Sequence, residues 1–119
     1  MADPATHTGG CHCGAVRLEV GTALERVNTC NCSHCSKKGF IWTFVPKERP
    51  TLLSGEGQLQ EYRFHTGKLQ HPTCRIGGAQ PFARGTGPGG TDVVAVNVRR
   101  LDGIDLARLR PLEFDSKSL

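Results

Sequence analysis

Three cysteines lie within six residues of this 119-residue chain, in the stretch Cys30-Asn31-Cys32-Ser33-His34-Cys35. Their thiols are too close together along the chain for ordinary disulfide geometry to pair them all. Deprotonated thiols are good ligands for a divalent ion such as Zn²⁺, which stabilises the thiolates and satisfies their charge. Three thiolates leave one tetrahedral position for water or substrate if no fourth residue arrives, and an open position is typical of catalytic zinc sites.

The remaining cysteines are Cys11, Cys13 and Cys74. Each could be an ordinary small core residue, as free cysteine often is, but the tight spacing of the first two favours a metal site. The 30–35 segment also has two other interpretations. One is a closed structural zinc site completed by His34 or by another cysteine, and the other is a redox pair in Cys32-Ser33-His34-Cys35. The third cysteine of the segment favours metal binding over thiol exchange.

Short strands are expected to position these cysteines. Val16, Leu18 and Val20 alternate with charged residues, which is the period-two pattern of a strand with one buried face. The runs 40–45, 61–64 and 92–98 are rich in strand formers, and the last is apolar enough for a central strand. Residues 36–39 fit a single helical turn closed by Gly39. The sequence therefore predicts a mainly β fold with short helical turns.

Length and composition indicate one small domain. We expect residues 1–8 to form a flexible leader and residues 9–119 a single zinc-binding domain. Hydrophobic residues make up 37% and aromatic residues 6%, a lean supply for a core, so staples such as bound metal are expected. The N-terminal residues do not resemble a secretion signal, which predicts a reducing, cytoplasmic location. No apolar stretch approaches the ~20 residues that span a bilayer, so no membrane partner is expected.

The charge distribution argues against a nucleic-acid partner. The net charge is +4 and the pI is near 8.9, but lysine and arginine are scattered, with only short doublets at Lys37-Lys38 and Arg99-Arg100. This basicity is expected to give mild help with small anionic ligands. Gly87-Pro88-Gly89-Gly90 lacks the spacing of a phosphate-binding loop and predicts only a turn.

Four groups of residues together carry a family resemblance. They are Cys11-x-Cys13-Gly14-x-Val16, Cys30-x-Cys32-x-x-Cys35, His71-x-x-Cys74 with Pro81-Phe82, and Asn97-Val98-Arg99-x-Leu101-Asp102-Gly103-Ile104-Asp105. In this combination the chain resembles the glutathione-dependent formaldehyde-activating (GFA) enzyme family, which includes the centromere protein V-like proteins. The resemblance runs from about Gly10 to Asp115. It implies a twisted, zinc-binding β fold of the beta-tent type.

The same resemblance implies two zinc sites and their roles. Cys11, Cys13 and Cys74 would hold a structural zinc. Cys30, Cys32 and Cys35 would hold the catalytic zinc that meets glutathione and formaldehyde. One or two Zn²⁺ ions per chain are therefore expected.

One position departs from the family pattern. The family normally has a CxxC where this chain has Cys74 and Gly77, and Thr73 stands where a phenylalanine usually precedes the first of these cysteines. The structural site is thus one thiolate short. Water, His71 or His12 could complete it, or the site could be empty, and His71 could equally be a hydrogen-bonding core residue.

The residues and the resemblance together predict a carbon–sulfur lyase-type enzyme. Coordination deprotonates a thiol that is only a few per cent ionised at neutral pH, so zinc can present a sulfur nucleophile to formaldehyde, giving an S-hydroxymethyl thiol. Three thiolates weaken zinc as a Lewis acid, which favours handling a thiol over activating water. Two alternatives come from other classes: a zinc-stabilised binding module without turnover, and a small-thiol carrier.

Overall fold

The computed structural model describes residues 5–24, 26–31, 33–63, 70–86 and 92–114. Within these ranges the strands are β1 (Ala5–Gly10), β2 (Arg17–Thr22), β3 (Asn28–Cys30), β4 (Trp42–Pro46), β5 (Thr51–Ser54), β6 (Leu59–Arg63), β7 (Gln70–Cys74), β8 (Phe82–Thr86), β9 (Asp92–Asn97) and β10 (Leu112–Phe114). The helix α1 spans Ser33–Lys38, and 3₁₀ helices span Glu56–Gln58, Val98–Arg100 and Leu106–Arg108. The predicted mainly β fold with short helical turns is confirmed.

The described strands form two sheets. The smaller has the order β1-β2-β5, and the larger has the order β10-β3-β4-β9-β8-β7-β6. Neighbouring strands pair antiparallel except β10 and β3, which are parallel. The apolar run 92–98 supplies β9, which lies at the middle of the larger sheet, as expected for a central strand.

The main core packs β2 against the larger sheet. Leu18 and Val20 of β2 contact Val94 and Val96 of β9, together with Phe82 of β8. Every second residue of β2 is buried, so the alternation predicted for this strand is confirmed. A second cluster, on α1 and the strands beside it, contains Cys35, Phe40, Trp42, Ala83 and Ala95.

Two local elements differ from the sequence expectation. The segment predicted as a flexible leader contains the start of β1, whose residues from Ala5 pair with β2; residues 1–4 lie outside the described residues. The helical turn expected after Cys35 begins earlier, at Ser33, and includes that cysteine. So short a helix has no apolar periodicity from which its start could be read. Its end is as predicted, because Gly39 has a φ of 70° and its N–H donates to the Cys35 carbonyl at 2.9 Å.

None of the helices in the described ranges is both long and apolar enough to cross a bilayer. The glycine-rich turn predicted at 87–90 lies outside the described residues.

Candidate metal centres

Three of the predicted ligands, Cys11, Cys13 and Cys74, meet in space. Their sulfur atoms all lie within 4.8 Å of one another, and the Sγ atoms of Cys13 and Cys74 are 3.6 Å apart. Zinc–sulfur bonds of about 2.3 Å in a tetrahedron place sulfurs about 3.8 Å apart, so this spacing suits one face of a zinc site. The donor chemistry and the separations therefore fit Zn²⁺.

Two tight turns at the ends of strands create this cluster. After β1, the Cys11 N–H donates to the Val16 carbonyl at 3.0 Å, and the Gly14 N–H donates to the Cys11 carbonyl at 2.9 Å. After β7, the Gly78 N–H donates to the Cys74 carbonyl at 2.9 Å. Gly14 and Gly78 have φ values of 83° and 84°, which few other residues adopt. The left-handed backbone conformation of these two glycines thus allows the turns that bring the sulfurs together.

The cluster favours a thiolate at Cys74. The Gly77 N–H donates to its Sγ at 3.4 Å and is the main reason that the Cys74 pKa falls from 9.0 to about 7. At Cys13 the Ala15 backbone hydrogen bond lowers the pKa, but burial and the neighbouring Cys11 and Cys74 thiols outweigh it, and the net shift is upward. Of Cys13 and Cys74, Cys74 is therefore the thiol better prepared to lose its proton before a metal arrives.

Gly77 faces the sulfurs directly. A Cβ built at this position would overlap the Sγ of Cys11 and lie 2.9 Å from the Sγ of Cys13. Its φ is outside the left-handed region, so the backbone itself does not demand glycine. Among the described histidine, cysteine, aspartate and glutamate side chains, neither His12 nor His71 joins this close group. The position that departs from the family pattern is thus at the metal-binding face itself.

The second predicted site is only partly placed. Cys30 ends β3 and Cys35 lies in α1, and both belong to the apolar cluster that contains Phe40 and Trp42. Cys32 lies outside the described residues. The three-thiol site at Cys30, Cys32 and Cys35 therefore stays a prediction.

A histidine pair lies beside this second site. The rings of His34 and His71 are 4.5 Å apart between centroids in an edge-to-face arrangement, and His34 also contacts Phe40. The Gln80 amide donates from Nε2 to His71 Nδ1 at 2.9 Å and to the Phe82 carbonyl at 3.2 Å. Because Gln80 donates to Nδ1, the neutral form of His71 carries its proton on Nε2.

Burial holds both imidazoles neutral. It lowers the pKa of His71 to about 4, with smaller contributions from the charges of His34 and Lys38. Burial, followed by the charge of Lys38, also lowers the pKa of His34. His71 is therefore a hydrogen-bonded core residue, which was one of its two sequence interpretations. Its pairing with His34 was not predicted, because no spacing rule connects residues on α1 and β7.

The family comparison supplies the wider context. The model of the family described as "Glutathione-dependent formaldehyde-activating enzyme" matches residues 6–113, which is most of the chain. The chain belongs to the GFA family. The family resemblance read from the sequence is therefore confirmed.

This GFA-family chain is also similar to a solved structure. A crystal structure of a Rhodobacter sphaeroides protein, determined as a structural genomics target, is 28% identical and superposes with a TM-score of 0.77. The match covers 89% of this chain and 97% of that one. The fold of the GFA-family chain thus has a close experimental counterpart over nearly its full length.

Proposed function

We propose that the chain is a zinc-dependent carbon–sulfur lyase-type enzyme that joins glutathione to formaldehyde, or to a related aldehyde, as an S-hydroxymethyl adduct. The observation that carries this proposal is the family match over residues 6–113, a range that contains all six cysteines. The approach of Cys30 and Cys35 within one apolar cluster supports it.

The proposal assigns one zinc to each cysteine group, giving one or two ions per chain. Cys30, Cys32 and Cys35 would hold the catalytic ion, and Cys11, Cys13 and Cys74 the structural one. A bound Zn²⁺ ion supplies positive charge that lowers the pKa of a coordinated thiol to below neutral.

The residues around the 30–35 segment suit this chemistry. The thiol sulfur adds to the aldehyde carbon, a carbon–sulfur bond forms, and the thiol proton ends on the adduct oxygen; lysis is the reverse. Neutral His34 and His71 do not repel a divalent cation, and the His34 imidazole can carry the proton between sulfur and oxygen. The buried rings of Phe40 and Trp42 limit the access of water from their side.

Cobalt substitution tests the proposal directly. With Co²⁺ in place of Zn²⁺, glutathione is expected to change the charge-transfer and d–d bands by adding its sulfur as a ligand. The zinc protein is expected to accelerate exchange among glutathione, formaldehyde and S-hydroxymethylglutathione above the spontaneous rate, measured by exchange NMR. Cys32→Ser should abolish both effects, whereas Cys74→Ser is the matched control and should mainly lower stability.

The outcomes separate three functions. A spectral change with accelerated exchange supports the enzyme. A spectral change with exchange at the background rate defeats the enzyme and supports a thiol carrier. No change in either measurement defeats both and leaves a zinc-stabilised binding module.

A further inference from the structure

A basic cleft lies beside the turn that carries Cys11, one of the predicted ligands of the structural metal. It has a volume of about 380 Å³ and is bordered by the turn after β1 and by the 3₁₀ helix Val98–Arg100. Its charged lining side chains are Arg17, Arg99, Arg100 and Asp102. We call this feature the arginine cleft. Three guanidinium groups and one carboxylate give it a surplus of positive charge.

The backbone around the arginine cleft is closely fixed. Gly9 bridges to Leu101, and the Asp102 N–H donates to the Thr8 carbonyl at 2.8 Å. A Cβ at Gly9 would collide with the Arg100 carbonyl, so this close crossing of β1 requires glycine. The side chain of Asn97 accepts from the Arg99 N–H at 3.2 Å and caps the 3₁₀ helix. The arginines thus project from a preorganised base, which lowers the entropic cost of binding.

The individual contacts leave positive charge available. The Asp102 carboxylate is already used by Arg17, with Nη2 and Oδ2 2.5 Å apart. Arg99 donates from Nε to the Gly39 carbonyl, a neutral acceptor that orients the guanidinium without cancelling its charge. Two guanidinium charges, those of Arg99 and Arg100, therefore remain without a carboxylate partner among the described residues.

Arg100 adds a buried donor. Its Nε is shielded from solvent, and within the described part of the chain no acceptor lies in hydrogen-bonding reach of it. This shielded Nε does not face the open cleft, so contact with an anion is expected from the part of the Arg100 side chain that lines the cleft.

We propose that the arginine cleft binds a small oxyanion, a phosphate or a carboxylate group. Guanidinium groups present paired N–H donors whose geometry matches such oxyanions, and charge-assisted hydrogen bonds of this type are among the strongest in proteins. The site uses neither Cys30 nor Cys35, so it can bind whether or not the chain turns over a thiol. Binding weakens with rising salt, because the cleft is open to solvent.

NMR titration of the metal-loaded full chain tests this site. The probes are inorganic phosphate and S-methylglutathione, a carboxylate ligand whose blocked sulfur cannot form a thiolate. Each is expected to shift the amide signals of residues 98–102 and the arginine Nε–H signals with saturation, against chloride at matched ionic strength. Saturation by phosphate alone, by S-methylglutathione alone or by both supports the site and identifies the source of the anion.

Three variants give the test its specificity. Arg100→Ala is expected to weaken binding about tenfold, the effect of losing one charge-assisted hydrogen bond. Asp102→Asn is expected to tighten binding, because it removes the competing carboxylate; a purely structural role for these residues would not produce a gain. Arg49→Ala, an exposed arginine outside the cleft, is the matched control and should change affinity less than about twofold.

Clear results overturn the proposal. The first is that neither probe gives saturating shifts. The second is that Arg100→Ala and Arg49→Ala lose equal amounts of binding affinity. If Arg100→Ala does not fold, Arg100→Lys keeps the charge and removes the paired donors, and an affinity equal to that of the unaltered protein would also defeat a guanidinium-specific site.

Discussion

The two cysteine groups are surrounded by different kinds of structure. Cys11 and Cys74 lie at strand ends, in turns closed by backbone hydrogen bonds, and the backbone N–H of Gly77 lowers the Cys74 pKa. Backbone geometry therefore fixes these sulfurs and prepares one of them for ionisation.

Aromatic side chains surround the other group, whereas Cys11 and Cys74 pack with aliphatic residues such as Val16 and Ala79. Cys30 and Cys35 pack with the rings of Phe40 and Trp42, beside a histidine whose pKa burial holds low. Substitutions at the site held by turns are expected to change mainly stability. Substitutions at the site bordered by aromatic side chains are expected to change mainly ligand binding and turnover.

Metal removal should have the largest effect. Structural zinc contributes on the order of 10 kcal/mol in small domains, which is comparable with the whole stability of a domain. A strong chelator is therefore expected to unfold the protein, and added Zn²⁺ to refold it, as followed by far-UV circular dichroism. Unchanged melting after removal of all metal, checked by elemental analysis, would show that neither cysteine group holds the fold together.

His71 should give the next largest effect, through pH. The folded-state pKa of about 4 lies below the ordinary 6.5, so unfolding takes up a proton between these values. Stability from the neutral imidazole is present above about pH 6.5 and is lost as pH falls to about 4, by at most roughly 3 kcal/mol.

His71→Asn keeps an acceptor for the Gln80 amide and removes the titration. The free energy of unfolding in urea should then depend less on pH between about 7 and about 4 than in the unaltered protein. The two proteins are compared only over the part of this pH range in which elemental analysis shows that both keep their metal, because metal release itself is expected to unfold them. Equal pH slopes would show that His71 has the same pKa folded and unfolded.

Several features of the fold follow directly from the sequence. The alternation of Val16, Leu18 and Val20 identifies β2 and its buried face, and the apolar run 92–98 identifies the central β9. The cysteine spacing identifies the family, and through it the group Cys11, Cys13 and Cys74 that the structure brings together. These successes share a cause, because each depends on local periodicity or on a short motif.

Other features depend on long-range packing and could not be predicted from the sequence. The pairing of β1 with β2 uses residues that look like a polar leader, since Thr6 and Thr8 show no apolar pattern. The contact of His34 with His71 requires the placement of α1 over β7. The family motif already places residue 77 beside the metal ligands, but the overlap of a Cβ there with the Cys11 sulfur depends on the turn after Cys74 and could not be read from the sequence.

Substitutions at Gly77 test whether residue 77 can reach a metal bound by Cys11, Cys13 and Cys74. Both Gly77→Ala and Gly77→Cys place a Cβ against the Cys11 and Cys13 sulfurs, which must shift. Such crowding costs about 1–3 kcal/mol, so the alanine variant should bind zinc roughly tenfold more weakly. The cysteine variant carries the same crowding but adds a fourth thiolate.

Gly77→Cys is therefore expected to bind zinc at least about tenfold more tightly than Gly77→Ala, and to melt at a higher temperature. Competition with a chromophoric chelator measures both affinities, and the alanine variant is the matched control for crowding. Equal zinc affinities would mean that residue 77 cannot place a sulfur on the metal and that this site never used a fourth thiolate.

Substitution of Lys38 should give the smallest effect, a change in the pKa of His34 beside Cys30 and Cys35. Burial is the main cause of the lowered His34 pKa and the Lys38 charge is the second, so Lys38→Gln is expected to raise that pKa only in part. Stability should change by less than about 0.5 kcal/mol, because Lys38 is exposed. The variant loses only a favourable positive charge in the last turn of α1. An NMR titration of the His34 ring measures the shift, with Lys37→Gln as the neighbouring control. If both variants raise the His34 pKa equally, the shift comes from the general positive charge at the end of the helix. The prediction of a specific interaction between Lys38 and His34 would then be wrong.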